Sequence, residues 1–401
     1  MKLAVITSKT CWRDAGSPSG YATDGGFPMQ MRALSDLFDE TRLLVPVLPE
    51  DPAIAPGLSP LRGRSLSIVP LAEPSGSGWK RKAGMLPWGI RHARTLTRQI
   101  AWADAVHVPL PGDVSAVGMW FAQSAGKPLF VRHCGNWLAP ETAFDRYCKW
   151  HMERFAGGRN VMLATGGADD PPSETNPAID WIFSTSLSSA DLDRLAANGE
   201  HVRSSSPRTT GPNLIIAARQ DPEKGAGVIV EAMPGIREDF PNATLEIVGS
   251  GSGIERFRSR AEALGVSDAV RFRGKIRQAE VIEAVRRSDL FVFPTAASEG
   301  FPKAVHEAMA CGAPVIATKV SVLPLLLREG GGVLLEERSP QAVRSAVRFC
   351  IEDDERHQEL SRQAARLARS YVLERWRDRI GLKLADAWGW RSERIGSENS
   401  L

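Results

Sequence analysis

Short, mostly apolar runs punctuate this chain, many closed by glycine, proline or small polar residues. In the first half they are KLAVIT, RLLVPV, SLSIVP, DAVHV, PLFVR, NVMLAT and DWIFSTS; in the second they are NLIIAAR, LEIVG, VRFRG, DLFVF, PVIAT and GGVLL. All read as strands, and those that are continuously apolar, KLAVIT, DLFVF and PVIAT, predict strands buried on both faces of a parallel sheet. Stretches with a single apolar stripe lie between them, among them FPMQMRALSDLF, SSADLDRLAANG, QAEVIEAVRRSD and KAVHEAMA, and these predict helices. Strands alternating with helices point to an α/β fold. HVRSSSPRTTGPN has the polar, Ser/Pro-rich composition of a linker, which divides the chain into domains 1–205 and 206–372. Residues 373–401 follow as a helix, YVLERWRDRIGLKLADAWGW, and a frayed tail.

The stretch from Asp289 to Thr318 organises the rest. DLFVF is a buried strand ended by Pro294, and TAASEG makes a loop of small residues. Pro302 stands where a helix can start, because the first turn needs no amide from it. KAVHEAMA forms that helix, Gly312 stops it, and PVIAT is the next strand. Such a turn aims the partial positive charge of a helix start at the carboxyl edge of the sheet, where an anion binds. Glu299 and Glu307 bracket the turn. Carboxylates accept hydrogen bonds from hydroxyls, so the expected ligand is anionic at one end and hydroxyl-rich elsewhere. A nucleotide sugar fits; a capping Glu299 and a surface Glu307 are the plainer alternative.

EGFPKAVHEAMACGAPVIAT resembles the nucleotide-sugar motif of the family 4 retaining glycosyltransferases, which have the GT-B fold. The resemblance implies two Rossmann-like parallel-sheet domains facing a cleft, with the last helix returning to the first domain. It implies that Glu299 contacts donor-sugar hydroxyls and Glu307 the ribose. It also implies that the backbone from Gly300 through Phe301, Pro302 and Lys303 to Ala304 faces sugar and diphosphate.

Other positions acquire roles in the same way. Arg219 and Lys224 follow the first strand of the second domain, a planar fork and a flexible point charge suited to a diphosphate. Their spacing with Gly225 matches the family's Arg-x4-Lys-Gly element. Gly25 and Gly26 enter a helix where the family's Gly-Gly faces the diphosphate. Gly249, Gly251 and Gly253 suggest a dinucleotide turn, but that pattern needs glycine at 254, which is Ile254. By resemblance they are the family's Gly-rich turn, and the backbone at Lys275 and Ile276 borders the base. His133, at a strand's carboxyl end, reads on its own as a histidine bonded into its loop. The resemblance places it near the acceptor and the transferred sugar. His107 reads as structural, and Arg132 as an acceptor or phosphate contact. Asp191-x-Asp193 has the form of a metal motif but falls in a first helical turn, where acids favour the helix dipole. No metal site is expected there.

Composition narrows the class. The 401 residues suffice for two or three domains, and 24% charged with 43% hydrophobic residues is ordinary for a globular protein. A net charge of +3 gives no indication of nucleic acid. Five cysteines without CxxC spacing read as reduced thiols. MKLAVITSKT is too quickly polar for a signal peptide, and no run nears 18 apolar residues. The expected place is the cytoplasm, with peripheral attachment to the inner membrane face open. Between Pro74 and Ala103 there is no acid, but Lys80, Arg81, Lys82, Arg91, Arg94 and Arg98 occur with Trp79 and Trp88. That loop and helix suit an anionic membrane or a phosphate-linked lipid acceptor. The alternative is a solvated basic face with tryptophans turned inward.

The reading that follows from the resemblance is a retaining, metal-independent glycosyltransferase without a resident cofactor. It takes a nucleotide sugar and glycosylates a hydroxyl of a glycan or lipid-linked saccharide, as in cell-surface polysaccharide or glycoconjugate synthesis. A GT-B phosphorylase or epimerase, a nicotinamide oxidoreductase and a non-catalytic glycan-binding scaffold are the rivals.

Overall fold

In a computed structural model, residues 1–50, 57–197 and 211–390 are described. They form two compact units: Met1–Ser186 with the helix Leu373–Trp388, and Leu187–Val372. The division falls after Ser186 and not after residue 205. The reason is the helix Ser189–Ala197: its Asp193 pairs with Arg369 at 2.8 Å, and its buried Leu192 lines a groove with Ala310, Ser361 and Ala365. The linker at 201–210 and the tail from 391 lie outside the described residues.

The strands of the first unit are β1 (Lys2–Ile6), β2 (Cys11–Arg13), β3 (Tyr21–Thr23), β4 (Glu40–Leu48), β5 (Ser59–Pro60), β6 (Leu66–Leu71), β7 (Ala105–Leu110), β8 (Leu129–His133), β9 (Asn160–Thr165) and β10 (Ile179–Ile182). Their parallel order is β6-β4-β1-β7-β8-β9-β10. The predicted strands are present, with Leu3 to Ile6 and Leu129 to Val131 almost wholly inaccessible, whereas β6 at the edge is only partly buried. The segment read as a long loop, SKTCWRDAGSPSGYATDGG, contributes two short strands. β2 extends the edge of β4 at Cys11↔Val47, and β3 and β5 follow antiparallel. Three-residue strands carry too little periodicity to be read from sequence.

The second unit holds β11 (Asn213–Ala217), β12 (Thr244–Val248), β13 (Val270–Gly274), β14 (Leu290–Phe293), β15 (Val315–Thr318) and β16 (Gly332–Leu335), in the order β13-β12-β11-β14-β15-β16, all parallel. Chain direction along the sheet reverses between β11 and β14. Turns leaving neighbouring strands at such a reversal diverge to opposite faces and open a crevice at the carboxyl edge. The turn after β11 carries Lys224, and the turn after β14 carries Glu299.

Candidate functional site

The turn after β11 runs Arg219-Gln220-Asp221 into a single helical turn, Pro222–Lys224, then Gly225 and the helix Ala226–Asp239. Gly225 has φ +103°, and a Cβ there would lie 2.3 Å from the Pro294 carbonyl oxygen. Only glycine lets this turn pack against the end of β14. The contact is reinforced by the Ala296 amide, which donates to the Glu223 carbonyl at 2.7 Å. Arg338, beyond β16, completes it: Nε donates to the Pro294 carbonyl at 2.7 Å and Nη2 to the Pro222 carbonyl at 3.0 Å. One guanidinium thus ties together the two turns that bear Lys224 and Glu299.

Across that junction the Lys224 ammonium meets the Glu299 carboxylate at 2.5 Å, and both side chains are mostly shielded from solvent. Arg219, by contrast, is 76% exposed, and its ion pair among the described residues is with Asp221, at 3.4 Å. Asp221 is occupied by the Ser252 amide and hydroxyl at 3.1 and 2.9 Å, which hold its carboxyl below the usual range. The two cations therefore differ: the lysine is buried against Glu299, and the arginine is exposed beside Asp221.

The Gly-rich turn after β12 serves packing. A Cβ on Gly249 would fall 1.9 Å from the Ala218 carbonyl oxygen, and one on Gly251 or Gly253 would strike the Gln220 backbone. The Gln220 amide donates to Ser250 and the Gly253 amide to Gln220, so the turns after β11 and β12 form one hydrogen-bonded ledge. The turn after β13, with Lys275 and Ile276, joins it where the Gly249 amide donates to Gly274 at 2.8 Å.

Pro302 stands immediately before the helix Lys303–Ala310, which no side chain caps. Phe301 is turned inward against His306 and Tyr371, which anchors the loop from Glu299 through Gly300. One turn into the helix, Glu307 is buried and accepts from Gln278 Nε2 at 2.5 Å. Gln278 opens the helix that follows Lys275 and Ile276, so it links the ledge to Glu307. Backbone amides and dipole at the helix start, beside Lys224, suit an anion. The carboxylates of Glu299 and Glu307 suit hydroxyls. Sequence reasoning found these residues through the motif but missed Gln278 and Arg338. Gln278 reads as an ordinary helix-start residue, and Arg338 sits beside Glu336 and Glu337 like any surface ion pair.

The first unit is less uniform. His133 ends β8 but is 1% exposed and lies edge-on to Trp137. Neither ring nitrogen has a partner at hydrogen-bonding geometry, the Gly135 backbone lying nearby. Burial lowers its pKa to about 4, so it is neutral at neutral pH. Arg132 is not an accessible phosphate contact: it is 3% exposed, donates to Gln30 Oε1 at 2.9 Å and lies over the Trp376 ring. Adjacent strand residues face opposite sides, and Arg132 takes the side covered by the helices Phe27–Ser35 and Leu373–Trp388. Gly25, at φ +70°, and Gly26 precede the first of these helices, and nothing crowds a Cβ at Gly25. His107 is structural, bonded by Nδ1 to the Phe130 carbonyl.

The basic segment forms one helix, Gly78–Trp102, rather than a loop and a helix. Trp88 is buried and donates to the Ala72 carbonyl at 2.8 Å, so it is a core residue and no surface contact. Arg81 bridges Glu73 and Asp113, and Lys82 also pairs with Asp113. Trp79 and Lys80 face solvent. Asp191 accepts from Ser188 and Arg194 and Asp193 pairs with Arg369, so both carboxylates act as helix-end contacts.

The family model of Glycosyl transferases group 1 matches residues 198–367. Among curated relatives, a phosphatidyl-myo-inositol mannosyltransferase of Mycobacterium leprae is 33% identical over 31% of this chain and 32% of its own length. A GDP-mannose-dependent α-(1-6)-phosphatidylinositol monomannoside mannosyltransferase of Mycobacterium tuberculosis is 32% identical over 44% of this chain and 46% of its own. The match thus spans less than half the length of either relative. Among solved structures, HepE of Anabaena, in complex with UDP and glucose, superposes with TM-score 0.68 at 17% identity, covering 96% of this chain and 99% of that one. A sucrose-phosphate synthase of Thermosynechococcus elongatus gives 0.68 at 16% identity over 97% and 99%. At such identities the likeness establishes the fold, GT-B, with two Rossmann-like units.

Proposed function

We propose that this chain, which carries the group 1 glycosyl transferase domain in residues 198–367, is a retaining glycosyltransferase that needs no metal. It takes a sugar from a nucleotide donor and transfers it to a hydroxyl of a glycan or lipid-linked saccharide in cell-surface glycoconjugate synthesis. It acts in the cytoplasm at the inner membrane face. The observation that carries the reading is the Lys224–Glu299 pair at the strand-order reversal, with Glu307 one turn into the adjoining helix. A cation, an uncapped helix start and two carboxylates converge there, which is the complement of a diphosphate flanked by two hydroxyl-bearing sugars. Relatives named for mannosyl transfer to inositol lipids, and a fold neighbour solved with UDP and glucose, support the same reading.

The chain's contribution to the chemistry is electrostatic. As the glycosidic bond breaks, negative charge gathers on the departing nucleoside diphosphate, and Lys224, Arg219 and the start of the helix Lys303–Ala310 stabilise it. Preorganised donors of this kind need no metal. Glu299 holds the transferred sugar and Glu307 the ribose. The test is a screen of UDP- and GDP-sugars with EDTA present, reading thermal stabilisation and nucleoside diphosphate release. The expected result is stabilisation by one donor and diphosphate release that rises when acceptor is added. Release only after Mn²⁺ or Mg²⁺ is restored overturns the metal-independent reading. Stabilisation by none of the donors overturns the assignment.

A further inference from the structure

Of the eight large hydrophobic side chains that stand exposed among the described residues, seven belong to the first unit: Trp79, Leu86, Ile90, Trp120, Leu138, Trp150 and Phe155. We propose that the face formed by the helices Gly78–Trp102, Asp113–Ser124 and Ala143–Phe155 docks this protein on the surface of an anionic lipid bilayer.

The first helix carries apolar residues on two faces, where an ordinary surface helix has one. Trp88, Leu96 and Ile100 fill its inner face, yet Trp79, Leu86 and Ile90 remain 75, 75 and 71% exposed. With Lys82 they fall at spacings of three and four residues, a single stripe along the helix. Beside that stripe Lys80, Arg91, Arg94 and Arg98 meet no carboxylate among the described residues. Arg81 and Lys82 are instead paired with Glu73 and Asp113.

The stripe continues onto the next helices. Lys82 Nζ lies 3.9 Å over the Phe144 ring, and Tyr147 accepts from Trp120 Nε1 at 3.1 Å while packing against Trp150. Trp120 and Trp150 stand exposed on either side of the half-buried Tyr147, so apolar surface continues from the first helix onto these two. Cations on a helix, Gly78–Trp102, that has no acidic residue, beside exposed tryptophan and leucine, fit lipid headgroups over acyl chains. A nucleic acid would use the cations and leave the leucine and isoleucine unexplained. Phe144, Tyr147 and Lys82 also wall a pocket of about 760 Å³ that reaches Pro111 and Gly112, at the carboxyl end of β7. A saccharide anchored in the bilayer would meet that pocket at the membrane surface. Only this acceptor placement rests on the proposed function; docking does not.

The test is sedimentation of the full chain with vesicles of equal phosphatidylglycerol and phosphatidylcholine, against phosphatidylcholine alone, without donor or acceptor. Binding to the anionic vesicles only is expected, with a blue shift of tryptophan emission. Each cation near such a surface is worth about a fivefold change in partition. Reversing Arg91, Arg94 and Arg98 to Glu should therefore lower it by more than about a hundredfold. Replacing Trp79, Leu86 and Ile90 by Ser should abolish the blue shift. Both variants should keep the wild-type unfolding temperature and nucleotide affinity, which separates loss of docking from loss of fold or donor site. Wild-type chain that stays in the supernatant overturns the proposal, as do variants that bind undiminished. A shift from dimer to monomer in the Ser variant would assign the face to a second copy, and retention on an oligonucleotide column to nucleic acid.

Discussion

The Lys224 ammonium lies 2.5 Å from the Glu299 carboxylate, although 75 residues separate them in the chain. The sequence motif gives the two residues different partners, diphosphate and sugar. The structure shows them sharing one contact at the strand-order reversal. The carboxylate neutralises the lysine. Under the proposed function a bound diphosphate would draw the ammonium partly away from Glu299, which would couple nucleotide binding to the freedom of Glu299 to receive sugar hydroxyls.

Removing the cation tests that coupling. Lys224→Ala should lower turnover by roughly 10²–10³-fold, the usual loss for one preorganised donor to a developing anion. Arg219→Ala should cost turnover on the same scale and leave stability unchanged, because its side chain is exposed. Lys224→Ala should also destabilise the fold, since it strands the shielded Glu299 carboxylate. Steady-state kinetics with thermal unfolding checks both, and undiminished turnover in either variant removes that residue from the clamp.

Arg338 touches no expected ligand but fixes the turns that carry both members of the pair. Each of its bonds to a carbonyl is charge-assisted, worth about 1.5–3 kcal/mol when lost. Arg338→Ala should therefore lower kcat by roughly ten- to a hundredfold, by the same range of energies. Free nucleoside diphosphate affinity should move much less, and Arg338→Lys, which can restore one bond, should recover part of kcat. Equal losses in kcat and nucleotide affinity would mean that Arg338 merely supports the fold.

The central strands were legible because burial on both faces leaves few polar positions in runs such as KLAVI and LFVF. The donor motif was legible because glycine and proline at fixed places permit few backbone paths. Pairing across the sheet was not. Nothing local to Lys224 announces Glu299, and nothing local to Arg338 announces Pro294 and Pro222. Burial at strand ends was equally hidden: Arg132 and His133 are neighbours that look alike in sequence. One is sealed under Gln30 and Trp376, the other against Trp137. The basic helix was half legible, since its cations could be counted, but its exposed and buried tryptophans, Trp79 and Trp88, could not be told apart.

Buried histidines should weaken the fold in acid. Burial lowers His133 and His306 to about 4 and His107 to about 3, from 6.5. A depressed folded-state pKa means that the unfolded chain takes up protons first. The stabilisation is complete above pH 6.5 and is lost as pH falls toward 4. Each depressed histidine contributes on the order of 3 kcal/mol over that window. Thermal unfolding should drop steeply between these pH values, and His306→Gln should flatten part of the slope. An unfolding temperature that stays level through the window would show that these imidazoles are hydrated.

The two glutamates should separate by kinetics. Glu307 is buried, held by Gln278 beside the turn of Lys275 and Ile276, and is given the ribose, a contact similar before and during transfer. Glu307→Gln should chiefly raise the donor KM, by roughly ten- to a hundredfold for one lost charge-assisted bond. Glu299 is given the transferred sugar, whose placement against the acceptor decides the barrier. Glu299→Gln should therefore lower kcat. It also removes the carboxylate that neutralises Lys224, leaving the full cation to the diphosphate, so affinity for free nucleoside diphosphate should hold or rise. The decisive pair of measurements is nucleoside diphosphate affinity beside kcat for each variant. If Glu299→Gln loses nucleotide while Glu307→Gln keeps it and loses kcat, the two carboxylates have exchanged roles, and the sugar sits against the Gln278 side.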